Sequence, residues 1–234
     1  MRSVWLLLFL GLSASIPART VRLLYLEAPE DAPGALHLVA GKEVAKVDVP
    51  RLAISSGQAQ VPSAAVRIHL AEKAPTREHP LPADAPAVDL PAGDQDLLLV
   101  LFPTGKTGPL GFGAQAIDFS SARIPDGGIL WLNLSRRTLQ VRLGSAVMAV
   151  PQGQTRAMAP GVAPGGSYPV LVDLAPLDSR EEPLPLIRAT WMREPGRRQL
   201  LFVLDDPSRL VPRVVAVPHR LPPPPEAAAK PPAR

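Results

Sequence analysis

His37, His69, His79 and His219 are the only histidines in the chain, and cysteine is absent. No two histidines stand in an H-x-H or H-x-x-x-H pair, the close spacings that bring two imidazoles to one metal. Without cysteine there is no disulfide framework, no thiolate nucleophile and no Cys-ligated zinc. The four imidazoles read as surface histidines, and neither a metal nor a cofactor is expected.

Other reactive groups give no stronger pattern. Gly105-Lys106-Thr107 looks like the end of a phosphate loop, but Val100 stands where the first glycine of that loop is needed. Ser145 and Ser167 lack the G-x-S-x-G context that exposes a nucleophile on a strained turn. Asp118, Asp173, Asp205 and Asp206 are dispersed along strand-like segments. Two of them meeting in a pocket, with carboxyl groups about 5–10 Å apart, would support glycoside hydrolysis. Nothing in the sequence selects a pair, so no catalytic residue is assigned.

Arginine and tryptophan make the best recognition pattern. Arg136, Arg137 and Arg142 flank Trp131, while Arg193, Arg197 and Arg198 surround "EPGR". In the strand register that the alternation gives, Trp131 lies opposite Arg142 on a polar sheet face, where a guanidinium over an indole forms a cation–π contact. Trp131, Arg136, Arg137 and Arg142 are therefore the candidate ligand-binding residues, and an acidic glycan or another envelope protein is the candidate partner. The competing reading is a solubilising face. Asn133-Leu134-Ser135 matches a glycosylation acceptor, though such tripeptides are common.

The elements that would hold these residues are strands. No helical periodicity is sustained over eleven residues beyond the N-terminal run, and the 30 prolines are spread along the chain, which favours short strands and many loops. Ala35 to Ala40 and Val44 to Val49 flank a Gly41-Lys42 turn. Val66, Ile68 and Leu70 alternate with Arg67 and His69. Asp96 to Phe102 is apolar on both faces, as a central strand is. From Ile129 to Val150 the alternation predicts a meander of three strands. Pairing Leu134 with Leu139, Leu132 with Val141 and Leu130 with Leu143 gives one apolar face. A type II′ turn at Gly144-Ser145 pairs Leu143 with Ala146, Val141 with Met148 and Leu139 with Val150. Pro195-Gly196 suits a type II turn between the last two strong strands. No repeat of 20–50 residues is visible.

Arg2 followed by "VWLLLFLGL" and small residues has the form of an export signal, ending near Ser15 or Ala18. The run is shorter than the roughly 20 apolar residues a spanning helix needs. The expected organisation is a signal at 1–18, a β-sandwich-like module at 19–103, a Gly/Pro linker at 104–113, a second module at 114–218 and a disordered Pro/Ala-rich tail at 219–234. The fold class is all-β, with two tandem antiparallel β-sandwich-like modules. A formal net charge of +4 is too small an excess to imply nucleic acid.

"IPDGG…LNLS…LG" (Ile124 to Gly144), "YPV" (Tyr168 to Val170) and "W…EP..R..LF" (Trp191 to Phe202) carry a family resemblance. In them Gly128, Asn133, Gly144, Trp191, Pro195, Arg198 and Phe202 hold the marked positions. Over this second half the chain resembles an uncharacterised family of exported bacterial β-sandwich proteins of verrucomicrobial type. The resemblance implies export and a sandwich fold, and it transfers no activity. The functional expectation is a non-catalytic structural or binding protein of the periplasm or secreted space. The alternatives are a glycan-active hydrolase using two dispersed carboxylates, and a chaperone-like periplasmic protein with a basic cleft between its two sandwiches.

Overall fold

The computed structural model describes residues 18–93, 95–104, 110–178, 180–206 and 208–222. Most of the expected signal, residues 1–17, and the tail from 223 to 234 lie outside the described residues. Among those described there is no helix, and the chain forms two β-sandwich modules.

The first module contains β1 (Ala18–Tyr25), β2 (Ala35–Ala40), β3 (Glu43–Asp48), β4 (Ala59–Pro62), β5 (Arg67–Ala71), β6 (Ala87–Asp89), β7 (Leu97–Pro103) and β8 (Phe112–Asp118). Its inner sheet has the order β4-β1-β7-β8 and its outer sheet β3-β2-β5-β6. The second module contains β9 (Ile129–Leu134), β10 (Leu139–Leu143), β11 (Ala146–Val150), β12 (Thr155–Met158), β13 (Ser167–Leu174), β14 (Leu184–Met192), β15 (Arg197–Leu204) and β16 (Arg213–Arg220). Its inner sheet is β12-β9-β15-β16 and its outer sheet β11-β10-β13-β14. Strand for strand, the second module repeats the first, including a parallel central pair: β1 with β7, and β9 with β15.

The sheets stack in four layers. One apolar core fills each sandwich, and a third joins the two inner sheets. The joining core contains Leu24, Leu98, Val100, Leu130, Leu132 and Phe202 among its buried residues. Burying one such side chain is worth about 1.5–3 kcal/mol, so the seam is a true core and not a loose domain contact. It also explains why the central strands are apolar on both faces. In β7, Leu97, Leu99 and Leu101 face their own sandwich, while Leu98 and Val100 face the other module.

Matching the two ladders sets equivalent residues. Val21 opposite Leu97 corresponds to Ile129 opposite Gln199, and Leu97 opposite Asp118 corresponds to Gln199 opposite Pro218. Leu24 then matches Leu132, Leu98 matches Leu200, and Ile117 matches Val217; all six lie in the seam core. Gly41 and Gly144 match as the first residues of two-residue turns, with φ of 64° and 61°. The repeat is a whole module long, beyond the 20–50-residue periods sought in the sequence.

The β10–β11 register is the expected one, with Leu143 opposite Ala146, Val141 opposite Met148 and Leu139 opposite Val150. The expected β9–β10 hairpin does not form. β9 pairs with β12 and β15, whereas β10 pairs with β11 and β13, so the four-residue link 135–138 carries the chain from one sheet to the other. The reason lies in the two faces of β9. Ile129 and Trp131 enter the sandwich core, and Leu130 and Leu132 enter the seam. A strand buried on both faces belongs in a central layer; β10, with Gln140 and Arg142 exposed, belongs in an outer one.

The Gly/Pro segment is likewise not a linker between modules. β7 and β8 on either side of it pair from Leu97–Asp118 to Pro103–Phe112, so it connects neighbours in one sheet. Residues 114–118 thus belong to the first module, and the chain passes between modules over 119–128. Glycine and proline mark a loop, but not whether its flanks pair. The second module also extends past 218, because β16 runs to Arg220.

Candidate functional site

The four residues expected to bind a ligand do not share a surface. Trp131 is 0% exposed and packs in the second sandwich core, and the other face of its strand is buried in the seam, so it reaches no polar sheet face. Arg142 lies on the outer sheet's exposed face, opposite Val147 and Leu171. Arg136 and Arg137 do come together, beside Asp205, Asp206 and Arg209 around a cavity of about 500 Å³ at the far end of β9. Each is already paired: Arg136 Nε with Asp205 at 3.3 Å, and Arg137 with Glu181. The Trp131–Arg142 contact was a consequence of the β9–β10 pairing and falls with it.

That cavity brings two carboxylates together, but not as an acid and base pair. Asp206 pairs with Arg209 at 3.4 Å. Hydrogen bonds from the Ser208 hydroxyl and backbone N–H hold its carboxyl below the usual carboxylate range. A general acid needs the opposite shift.

A better site lies at the other end of the second module, about 20 Å away along β9 at the usual strand rise. Three segments distant in sequence meet there: the turn 125–128, the start of β13 and the link from β14 to β15. They enclose a pocket of about 310 Å³ walled by Gly128, Tyr168, Trp191, Glu194, Arg197 and Arg198.

Local chemistry holds the three segments in place. Asp126 Oδ1 accepts a 2.7 Å hydrogen bond from Gly196 N, and Gln199 N donates to Gly128 O at 3.1 Å. Arg193 reaches across, donating to Val162 O at 2.7 Å and Asp126 O at 3.2 Å. Its side chain occupies the space where a Gly127 Cβ would stand, 2.7 Å from Nε. A Cβ on Gly128 would sit 2.7 Å from the Pro125 carbonyl oxygen. Only a Gly-Gly pair fits this turn. Gly196 has φ of 70°, as the type II turn requires, but that turn carries the chain between sheets, since β14 and β15 do not pair.

Trp191 and Tyr168 are cross-strand partners and form the aromatic wall. Burial pushes the Tyr168 phenol above its ordinary value, so it stays a neutral hydrogen-bonding group at neutral pH. Glu194, the carboxylate in the wall, is paired with Arg197. The pocket thus offers an aromatic surface, the Arg197 guanidinium beside Glu194 and an amide from Gln199, but not the two carboxyl groups of a glycosidase.

No protein-family model matches the chain. No curated protein matches it either.

The sequence held part of this site. Arg197 and Arg198 were visible as a cluster, and Trp191 and Gly128 lay among the marked positions of the family resemblance. What joined them was the crossing of the chain between sheets. A chaperone-like cleft would have to lie between the modules, and there the inner sheets meet across an apolar core. No group of three or more His, Asp or Glu that could hold a metal occurs among the described residues. No helix there is long and apolar enough to cross a membrane.

Proposed function

We propose that this chain is an exported, non-catalytic binding protein that takes a glycan in the pocket between β14 and β15. The observation that carries the reading is the pairing of Trp191 with Tyr168 beside Arg197, Glu194 and Gln199 in one polar cavity. Sugars present an apolar ring face and a rim of hydroxyls. An aromatic wall with charged and amide groups around it meets both needs. The volume of about 310 Å³ suits one or two sugar units. Export rests on the short apolar run after Arg2, and an intact Met1 in the protein recovered from envelope fractions would refute it.

The binding test is a titration of the full chain against a panel of neutral and acidic oligosaccharides. Trp191→Ala should abolish binding, with far-UV circular dichroism confirming that the fold persists. Arg136→Gln and Arg142→Gln should leave it unchanged. Loss of binding in those two variants, with Trp191→Ala unaffected, would return the site to the arginine cluster. Turnover of any glycan would favour the hydrolase reading.

A further inference from the structure

β11 is an edge of its sheet, with β10 on one side and no strand on the other. An edge strand leaves main-chain donors and acceptors open to a further strand, and charged residues or proline normally guard it. Among the described residues, every other edge strand holds a charged residue or a proline within its bounds, such as Lys46 in β3, Arg156 in β12 and Pro218 in β16. β11 is Ala-Val-Met-Ala-Val and holds neither.

The internal repeat sharpens the contrast. With Gly41 matched to Gly144, β3 is the counterpart of β11, and Glu43 and Lys46 stand where β11 has Ala146 and Ala149. Val147 is 61% exposed between those two alanines. The two-residue turn makes Leu143 and Ala146 a hydrogen-bonded pair, and such pairs alternate along an antiparallel ladder. The main-chain groups of Ala146, Met148 and Val150 therefore point to β10, and those of Val147 and Ala149 point away from it. Among the described residues, no backbone hydrogen bond from another segment reaches Val147 or Ala149.

We propose that two copies of this chain associate through this edge, β11 pairing antiparallel with β11 about a two-fold axis. Centred on Met148, the pairing sets Val147 opposite Ala149 of the second copy, and Ala149 opposite its Val147. All the open main-chain groups of those residues are then answered, and apolar side chains meet apolar side chains. Arg142, on the neighbouring strand, stands at least three strand spacings, about 14 Å, from its copy. That exceeds the Debye length of about 8 Å at physiological salt, so the like charges do not oppose the pairing. The other candidate occupant is the chain's own end, but prolines at 222–225 and 231–232 leave it poor in donors. The ladder stops at Pro151, which has no N–H to give. Five residues a side are fewer than the about 20–30 of a stable interface, so the dimer is weak and reversible. The Trp191–Tyr168 pocket lies toward β14, the opposite edge of the same sheet, and stays open.

Sedimentation velocity of the full chain from about 10 μM to about 1 mM, the range of weak association, should show a reversible shift toward dimer. Ala149→Lys gives β11 the guard that β3 has, and should stay monomeric with unchanged far-UV circular dichroism. A second measurement fixes the register. The chain has no cysteine, so Met148→Cys introduces a single thiol. The two 148 positions form a non-hydrogen-bonded pair with Cα atoms about 4.5 Å apart, a span that a disulfide bridges. Oxidation with diamide should link most of the Met148→Cys protein into dimers. Val147→Cys, whose copies lie diagonal at about 7–8 Å, should link several-fold less. Amide exchange at Val147 and Ala149 should slow as protein concentration rises. A chain that is monomeric at every concentration overturns the proposal. So does a dimer that persists in Ala149→Lys with equal cross-linking at 147 and 148. Protection of those two amides that is independent of concentration also overturns it, since a segment of the same chain would then cover the edge.

Discussion

Phe119 and His219 occupy equivalent positions in the two modules, and their rings meet across the seam with centroids 4.8 Å apart and planes inclined at 55°. Equivalent residues in contact mean that the modules pack back to back through the same surface. Arg198 lies beside this pair, and its partners Phe119 and Ser121 belong to the crossing segment. The seam is therefore held by an apolar core with a polar cluster at one end.

The pH dependence of stability follows from that cluster. Burial, then Arg198 and Arg22, pull the His219 pKa down from 6.5 to about 4. Asp96 and Asp126 are the carboxylates whose charge reaches Arg198. A pKa lower in the folded state means that the folded protein binds the proton less readily than the unfolded chain. The stability tied to neutral His219 is complete above about pH 6.5 and is lost as pH falls toward 4. The full shift would be worth about 3 kcal/mol, and partial solvent access reduces this to about 1–2 kcal/mol. Urea unfolding at pH 7 and pH 4.5 should show a smaller loss in His219→Phe than in the parent; equal losses would refute the assignment.

Asn133 is a buried tie with all its amide groups used. Nδ2 donates to Arg137 O at 2.7 Å and Val150 O at 2.8 Å, and Oδ1 accepts from Ser135 N and Oγ at 3.0 and 2.7 Å. Asn133→Ala should cost about 2–4 kcal/mol, because several buried partners lose their bonds together. The same burial closes the acceptor tripeptide to glycosylation. Expression through a eukaryotic secretory pathway should yield protein with no glycan mass at Asn133.

Gly144 has φ of 61° and open space around it, since a Cβ added there would meet nothing closer than Tyr168 Cβ at 4.0 Å. The cost of substitution is thus backbone strain with little steric clash. Gly144→Val should lower stability by about 1–3 kcal/mol. An unchanged denaturation midpoint would be incompatible with the turn.

Trp131 and Trp191 should separate cleanly. Trp131 is wholly buried, so Trp131→Ala should destabilise by about 3–5 kcal/mol as a large core side chain is removed. Trp131→Phe should keep both fold and glycan affinity. Trp191→Ala should lose affinity with a smaller loss of stability. Trp131→Phe abolishing binding in a folded protein would place the recognition surface elsewhere.

Local pattern by itself determined the strand class, the strong strands, the Gly41 and Gly144 hairpins and the β10–β11 register. Each depends on alternation and turn chemistry within about a dozen residues. The strands absent from the sequence reading, β4, β6, β12 and β16, are all sheet edges. Edges are short or hold proline and polar residues, so their pattern is weak. Tertiary structure alone decided that β9 leaves its sequence neighbour to pair with β15, each residue with one 70 positions along the chain. The sequence reading assigned Ile129–Leu134 one apolar face and set Trp131 on a polar one, whereas both faces are buried; hydrophobicity carries no address, and alternation does not say which sheet lies on which side. That choice buried Trp131, parted it from Arg142, and brought Trp191, Tyr168, Arg197 and Arg198 to one pocket.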